Sequence, residues 1–178
     1  MLCSLSLAAV SPAQTCREVV RDSSGRVVQT IGRQKSAGGT VQSVTRDASG
    51  RIIGTATTRP NAGGGSQTTY RDASGRLTGF AATGPAHSGG SRTTYRDASG
   101  RVAGSAATSK TAGTTTRTQF RDASGRLTGS ESTTIRGPSG SVTGTRRDAS
   151  GRLTGSSAAH GKCPGVVRVP APPPGAKK

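Results

Sequence analysis

The decapeptide RDASGRLTGF, Arg71 to Phe80, stands near the middle of a chain that carries six versions of it, the others starting at Arg21, Arg46, Arg96, Arg121 and Arg147. Consecutive copies begin 25 residues apart, and 26 apart at the last step. A fixed period in this range marks a repeat architecture. Within each copy, Asp opens and Gly closes the tetrapeptide D-A-S-G (D-S-S-G in the first), which suits a type I turn ending in a left-handed glycine. The flanks are rich in Thr, Tyr, Val, Ile and Leu and read as strands. The unit is therefore a β-hairpin, joined to the next by a Gly- and Ser-rich link that makes the second turn.

A four-residue loop, Asp72–Gly75, predicts Tyr70 opposite Leu77 and Thr68 opposite Gly79. A three-residue loop would put Tyr70 and Leu77 on opposite faces, and the scarcity of apolar groups favours keeping them together. This register predicts one face bearing Val27, Ile52, Leu77, Val102, Leu127 and Leu153 beside Val20, Tyr70, Tyr95 and Phe120. The other face then bears Thr and opposed Arg pairs such as Arg71 with Arg76, with Asp72 between them as compensation. Around Arg136, the segment RGPSGSVTGT imitates the decapeptide in a link position, as if the unit arose from two hairpin halves.

Of the 178 residues, 29% are hydrophobic, too few for an ordinary two-layer core. The fold expected is all-β, an array of six hairpin repeats forming a solenoid or an extended antiparallel sheet. Low hydrophobicity with a net charge of +17 leaves a largely disordered chain as the alternative.

The ends differ from the array. Residues 1–13 resemble an export signal: MLCSLSLAAV is apolar, and Ser11 and Ala13 occupy the −3 and −1 positions of a cleavage site, though no basic segment precedes it. The stretch is too short to span a bilayer. The array covers 14–160, and 161–178 is a basic, Pro-rich tail, extended rather than folded. With Cys3 removed by cleavage, Cys16 and Cys163 bracket the array. In an exported chain such a pair suggests a disulfide, with free or intermolecular thiols as the alternative. A disulfide needs Cα atoms within about 7 Å; the ends of six stacked coils lie roughly 25–30 Å apart, a gap that the flanking residues can close, whereas a flat meander would double it. A bond between them favours a compact or closed array.

The core YRDASGRLTG resembles the YD repeat of Rhs-type bacterial surface and toxin proteins, whose motif runs Y-D-x-x-G-R-L. Asp72, Gly75, Arg76 and Leu77 match it; Arg71 stands where the motif has its Tyr, and Tyr70 lies one residue earlier. The resemblance implies an extended β-sheet shell at a bacterial surface.

Six of the eight acidic residues are the turn aspartates, and only Glu18 and Glu131 lie outside the repeats. A repeated Asp in one turn position is explained by turn capping and is poor material for a pocket of unlike catalytic groups. His87 and His160 are isolated, Cys16 and Cys163 lack zinc spacing, and no phosphate-binding glycine loop occurs. The chain is expected to be non-enzymatic, without cofactor or metal. The repeated guanidinium groups, Arg71, Arg76, Arg96, Arg101, Arg121, Arg126, Arg147 and Arg152, are the candidate binding residues, since each can grip a phosphate, sulfate or uronate; the competing reading pairs each Arg with its turn Asp. The expected role is structural or adhesive: an exported protein binding an anionic polysaccharide or other cell-envelope polymer weakly and multivalently. A disordered polycation or a nucleic-acid-associated protein is the alternative, the latter disfavoured because the aromatics face away from the Arg. Exposed strand edges add self-association to the expectations.

Overall fold

The computed structural model describes residues 14–86, 89–111, 113–137 and 140–161. The signal-like segment, His87, Cys163 and all but the first residue of the tail lie outside them. Twelve strands alternate along the chain: β1 Gln14–Asp22, β2 Val27–Lys35, β3 Val41–Asp47, β4 Ile52–Pro60, β5 Ser66–Asp72, β6 Leu77–Pro85, β7 Ser91–Asp97, β8 Val102–Lys110, β9 Thr115–Asp122, β10 Leu127–Arg136, β11 Ser141–Asp148 and β12 Leu153–Gly161. Each pairs antiparallel with its sequence neighbours, and β1 also pairs with β12, so the sheet is a closed barrel. All six RDASG-type turns lie at one mouth, and the links lie at the other.

The closed barrel overturns the expectation of a solenoid or extended sheet, and equally that of a disordered chain. The reason is a constant stagger. Tyr70 pairs with Gly79, and Gly79 pairs with Asp97, so each repeat meets the next two residues nearer its turn. Gly104 with Asp122, Gly129 with Asp148 and Gly155 with Asp22 repeat the step around the ring. Six such steps give a shear of about 12 residues over twelve strands, hence a strand tilt of about 35° and a backbone radius of about 11 Å.

The hairpin register also differs from the four-residue-loop expectation. Asp72 N–H donates to the Arg76 carbonyl at 3.0 Å and Gly75 N–H to the Asp72 carbonyl at 3.1 Å, with Gly75 at φ 84°. A bulge follows, so Arg71 opposes Leu77 while Tyr70 opposes Gly79 and Thr68 opposes Ala81. The predicted apolar face is therefore split. Val20 and Tyr95 are buried inside the barrel and Tyr70 and Phe120 are half-buried there. Ile52, Val102, Leu127 and Leu153 lie on the outer wall beside the turns, 39–45% exposed. Arg71 and Arg76 do not oppose each other; Arg76 ends the turn.

Inside, alternate residues build six-membered rings. One level carries Val20, Thr45, Tyr70, Tyr95, Phe120 and Arg146, of which Tyr70, Tyr95 and Phe120 pack with Ala81 and Ala106. Below it, threonines bond across strands, Thr58 to Thr68 at 2.8 Å, Thr83 to Thr93 at 2.8 Å and Thr108 to Thr118 at 2.9 Å. Among the described residues buried apolar side chains are few, so the closed backbone ladder carries much of the fold, at roughly 0.5–1.5 kcal/mol net for each hydrogen bond.

In the later five repeats the glycine of L-T-G lies close against the backbone of the next hairpin; the first repeat carries Gln29 there. A Cβ on Gly104 would stand 2.5 Å from the Arg121 carbonyl oxygen, and one on Gly129 would stand 2.5 Å from that of Arg147. Gly84 has nothing within 4 Å of an added Cβ and no positive φ. Gly104→Ala is expected to lower stability by about 2 kcal/mol in urea unfolding, whereas Gly84→Ala leaves it unchanged or slightly raised. Equal effects at the two sites would contradict the close approach.

Candidate polyanion interface at the turn rim

Each turn is built around its aspartate. In the third copy, Asp72 Oδ1 accepts from Ser74 N–H at 2.9 Å, Ser74 Oγ–H at 2.7 Å and Arg76 N–H at 3.0 Å. The other five copies repeat the set, from Asp22 with Ser24 and Arg26 to Asp148 with Ser150 and Arg152. Every turn carboxyl is held below the usual Asp range, chiefly by the serine hydroxyl and further by the backbone N–H groups and the following Arg.

The first arginine of each pair folds over the turn. Arg71 Nη1 donates to the Gly75 carbonyl at 2.8 Å, and Arg96, Arg121 and Arg147 do the same to Gly100, Gly125 and Gly151. This uses one of five N–H donors and leaves the others outward. The second arginine, at Arg76, Arg101, Arg126 and Arg152, contributes its backbone N–H to the turn while its side chain stays exposed. Among the described residues the ion pairs within 4.0 Å are Glu18–Arg33 and Glu131–Arg146, neither of them at a turn. At the rim each Asp feels the following Arg electrostatically, with no Asp–Arg ion pair within 4.0 Å among the described residues. Twelve Arg and six Asp sit in the turns, a net of six positive charges, on hairpins spaced about 11 Å apart around the mouth.

The carboxylates that do pair with arginine are the two that the repeat pattern left without a role. Glu18 and Glu131 are 1% and 2% exposed inside the barrel. Glu18 lies 2.7 Å from Arg33, and Glu131 lies 3.6 Å from Arg146. Aligning the copies shows what they replace. Glu131 takes the place of Ala56, Ala81 and Ala106, and its partner Arg146 takes that of Tyr70, Tyr95 and Phe120. Glu18 replaces Thr68, Thr93 and Thr118, and Arg33 replaces Thr58, Thr83 and Thr108. Each departure in charge is answered by an opposite departure next to it. Burial pushes the Tyr70 and Tyr95 phenols upward, and Tyr95 also feels Glu131.

Cys16 is disulfide-bonded and pairs in register with Gly161, while Cys163 lies outside the described residues. His160 is exposed on the outer wall, and no group of three potential metal ligands occurs among the described residues. Among the described residues no helix is long and apolar enough to cross a membrane. The outward positions Arg17, Gln34, Gln42, Gln67, Arg92 and Arg117 are exposed and polar, unlike the continuous apolar band of a lipid-spanning barrel. No family model, curated protein or solved structure matches the chain.

Glu131→Ala, which strands Arg146 in the barrel, is expected to destabilise by about 2 kcal/mol. Adding Arg146→Tyr restores the pattern of the other repeats and should recover most of that loss. A double variant no more stable than Glu131→Ala would contradict the pairing.

Proposed function

We propose that this is a non-enzymatic, exported structural or adhesive protein whose turn rim binds an anionic polymer of a cell envelope or matrix. The observation that carries the reading is the division of labour at each turn. Asp is committed to the backbone and Ser, and both guanidinium groups keep free donors pointing to solvent. A sulfate, phosphate or uronate can then be gripped bidentately without first breaking an ion pair.

Regular placement converts weak contacts into useful affinity. Once one turn engages a chain, the neighbouring turns meet it at high effective concentration. The closed ring fixes their spacing, so little conformational entropy is lost when the second and third contacts form. The likeness of the turn to the YD repeat points to the same setting, a bacterial surface.

The test is heparin as a model polyanion, with Arg→Gln introduced at Arg76, then at Arg76 and Arg101, then at Arg76, Arg101, Arg126 and Arg152. These side chains make no hydrogen bond in the fold, so stability should hold. Affinity at 0.15 M salt is expected to fall about threefold to tenfold per substitution, with a shallower salt dependence at each step. Loss of all binding at one position, or no loss after four substitutions, would overturn the reading. A second arm replaces heparin with arbitrary duplex DNA; tighter binding there would favour the nucleic-acid alternative.

A further inference from the structure

The barrel is nearly sixfold in sequence, and the place where that symmetry fails on its outer wall is specific. The residue after the first strand position of each return strand is Thr78, Ala103, Thr128 or Thr154 in four repeats, and Val28 or Ile53 in the first two. On the outgoing strands, the outward residue three before the turn Asp is Thr69, Thr94, Gln119 or Thr145 in the later repeats, and Val19 or Val44 in the first two. Both changes fall on one sector, β1–β4, beside the turn mouth. Ile52 belongs to the apolar column that Val102, Leu127 and Leu153 continue around the rim, and Val28 and Ile53, 39% and 41% exposed, add to it in these two repeats.

Two further features mark this sector. A cleft of about 440 Å³ opens between its second turn and the next, lined by Arg51, Ile52, Ile53, Asp72, Ala73 and Ser74 together with Asp47. The aliphatic groups also lie against arginine: Arg46 opposes Ile52 across the strands, and Arg51 precedes it in the chain. Hydrocarbon is thus exposed beside arginines that form no ion pair within 4.0 Å among the described residues.

We propose that the β1–β4 sector of the turn rim docks on an anionic lipid surface, with Val28, Ile52 and Ile53 entering the headgroup–acyl boundary while Arg26, Arg46 and Arg51 hold lipid phosphates. The inference rests on the polyanion-binding reading of the rim and narrows it to an anion carried on hydrocarbon. Charge complementarity selects the occupant. A second copy of this chain would bring the same arginines and be repelled, whereas an anionic bilayer presents phosphate above acyl chain in the order that the sector presents arginine and aliphatic groups. The polar remainder of the wall keeps the barrel on the surface rather than through it.

The experiment compares the full chain with the variant Val28→Thr/Ile53→Thr. The variant installs the residue that Thr78, Thr128 and Thr154 already occupy, so the fold tolerates it. Binding is read by co-sedimentation with vesicles of phosphatidylcholine and phosphatidylglycerol at 3:1, with pure phosphatidylcholine vesicles and with immobilised heparin. The expected result is salt-sensitive binding to the anionic vesicles only, weakened about tenfold in the variant, with heparin retention the same for both. Heparin binding without vesicle binding, or vesicle binding equal in chain and variant, overturns the lipid-docking inference and leaves the arginine reading standing. Binding to neither probe overturns both.

Discussion

The structure depends on a two-residue stagger between successive hairpins. It is read where Gly79, which opposes Tyr70 within its hairpin, pairs with Asp97 of the next. With no stagger, six hairpins would make an open ribbon whose outer strands expose unpaired backbone groups. With it, the strands tilt until β12 meets β1 and no edge remains. For a chain with so few apolar residues, closure replaces what a thick core would supply. It satisfies every strand on both sides and turns the side chains of alternate residues into shared internal rings.

Closure also determines what the outside can do. Pleating sends Tyr, Thr, Ala and Gly inward and leaves Arg, Gln, Thr and Ser outward, so the charge of the repeat gathers on the wall and at one mouth. The hydrogen bonds of the turn hold each Asp ionised against the backbone, and the second Arg of each pair leaves the rim a net of six positive charges. The rim is consequently a ring of cationic groups at fixed spacing, set by turn chemistry repeated with one symmetry, and the proposed polyanion binding rests on it.

Much of this was legible in the residues. The repeat, the hairpin, the turn Asp with its left-handed Gly, and the all-β class all follow from D-A-S-G and its flanks. The closed barrel did not, because a bulge of one residue is invisible to composition: the same strands without it keep Tyr70 and Leu77 on one face. The Gly of L-T-G held the missing signal. A glycine beside β-branched residues in strand after strand marks a close backbone approach, here against the carbonyl of the next repeat. The internal ion pairs were also readable in principle, since Glu131 and Arg146 depart from the repeat at positions that only a correct register makes neighbours.

The most direct test of closure is the contact between the two strands farthest apart in sequence. Nuclear Overhauser spectra of the uniformly labelled chain should show cross-strand contacts linking Glu18 with Ala159 and Val20 with Ser157, which pair in the barrel. Their amides should be as protected from exchange as those of β6 and β7. Absence of these contacts, with β1 and β12 exchanging as exposed edges, would contradict the account.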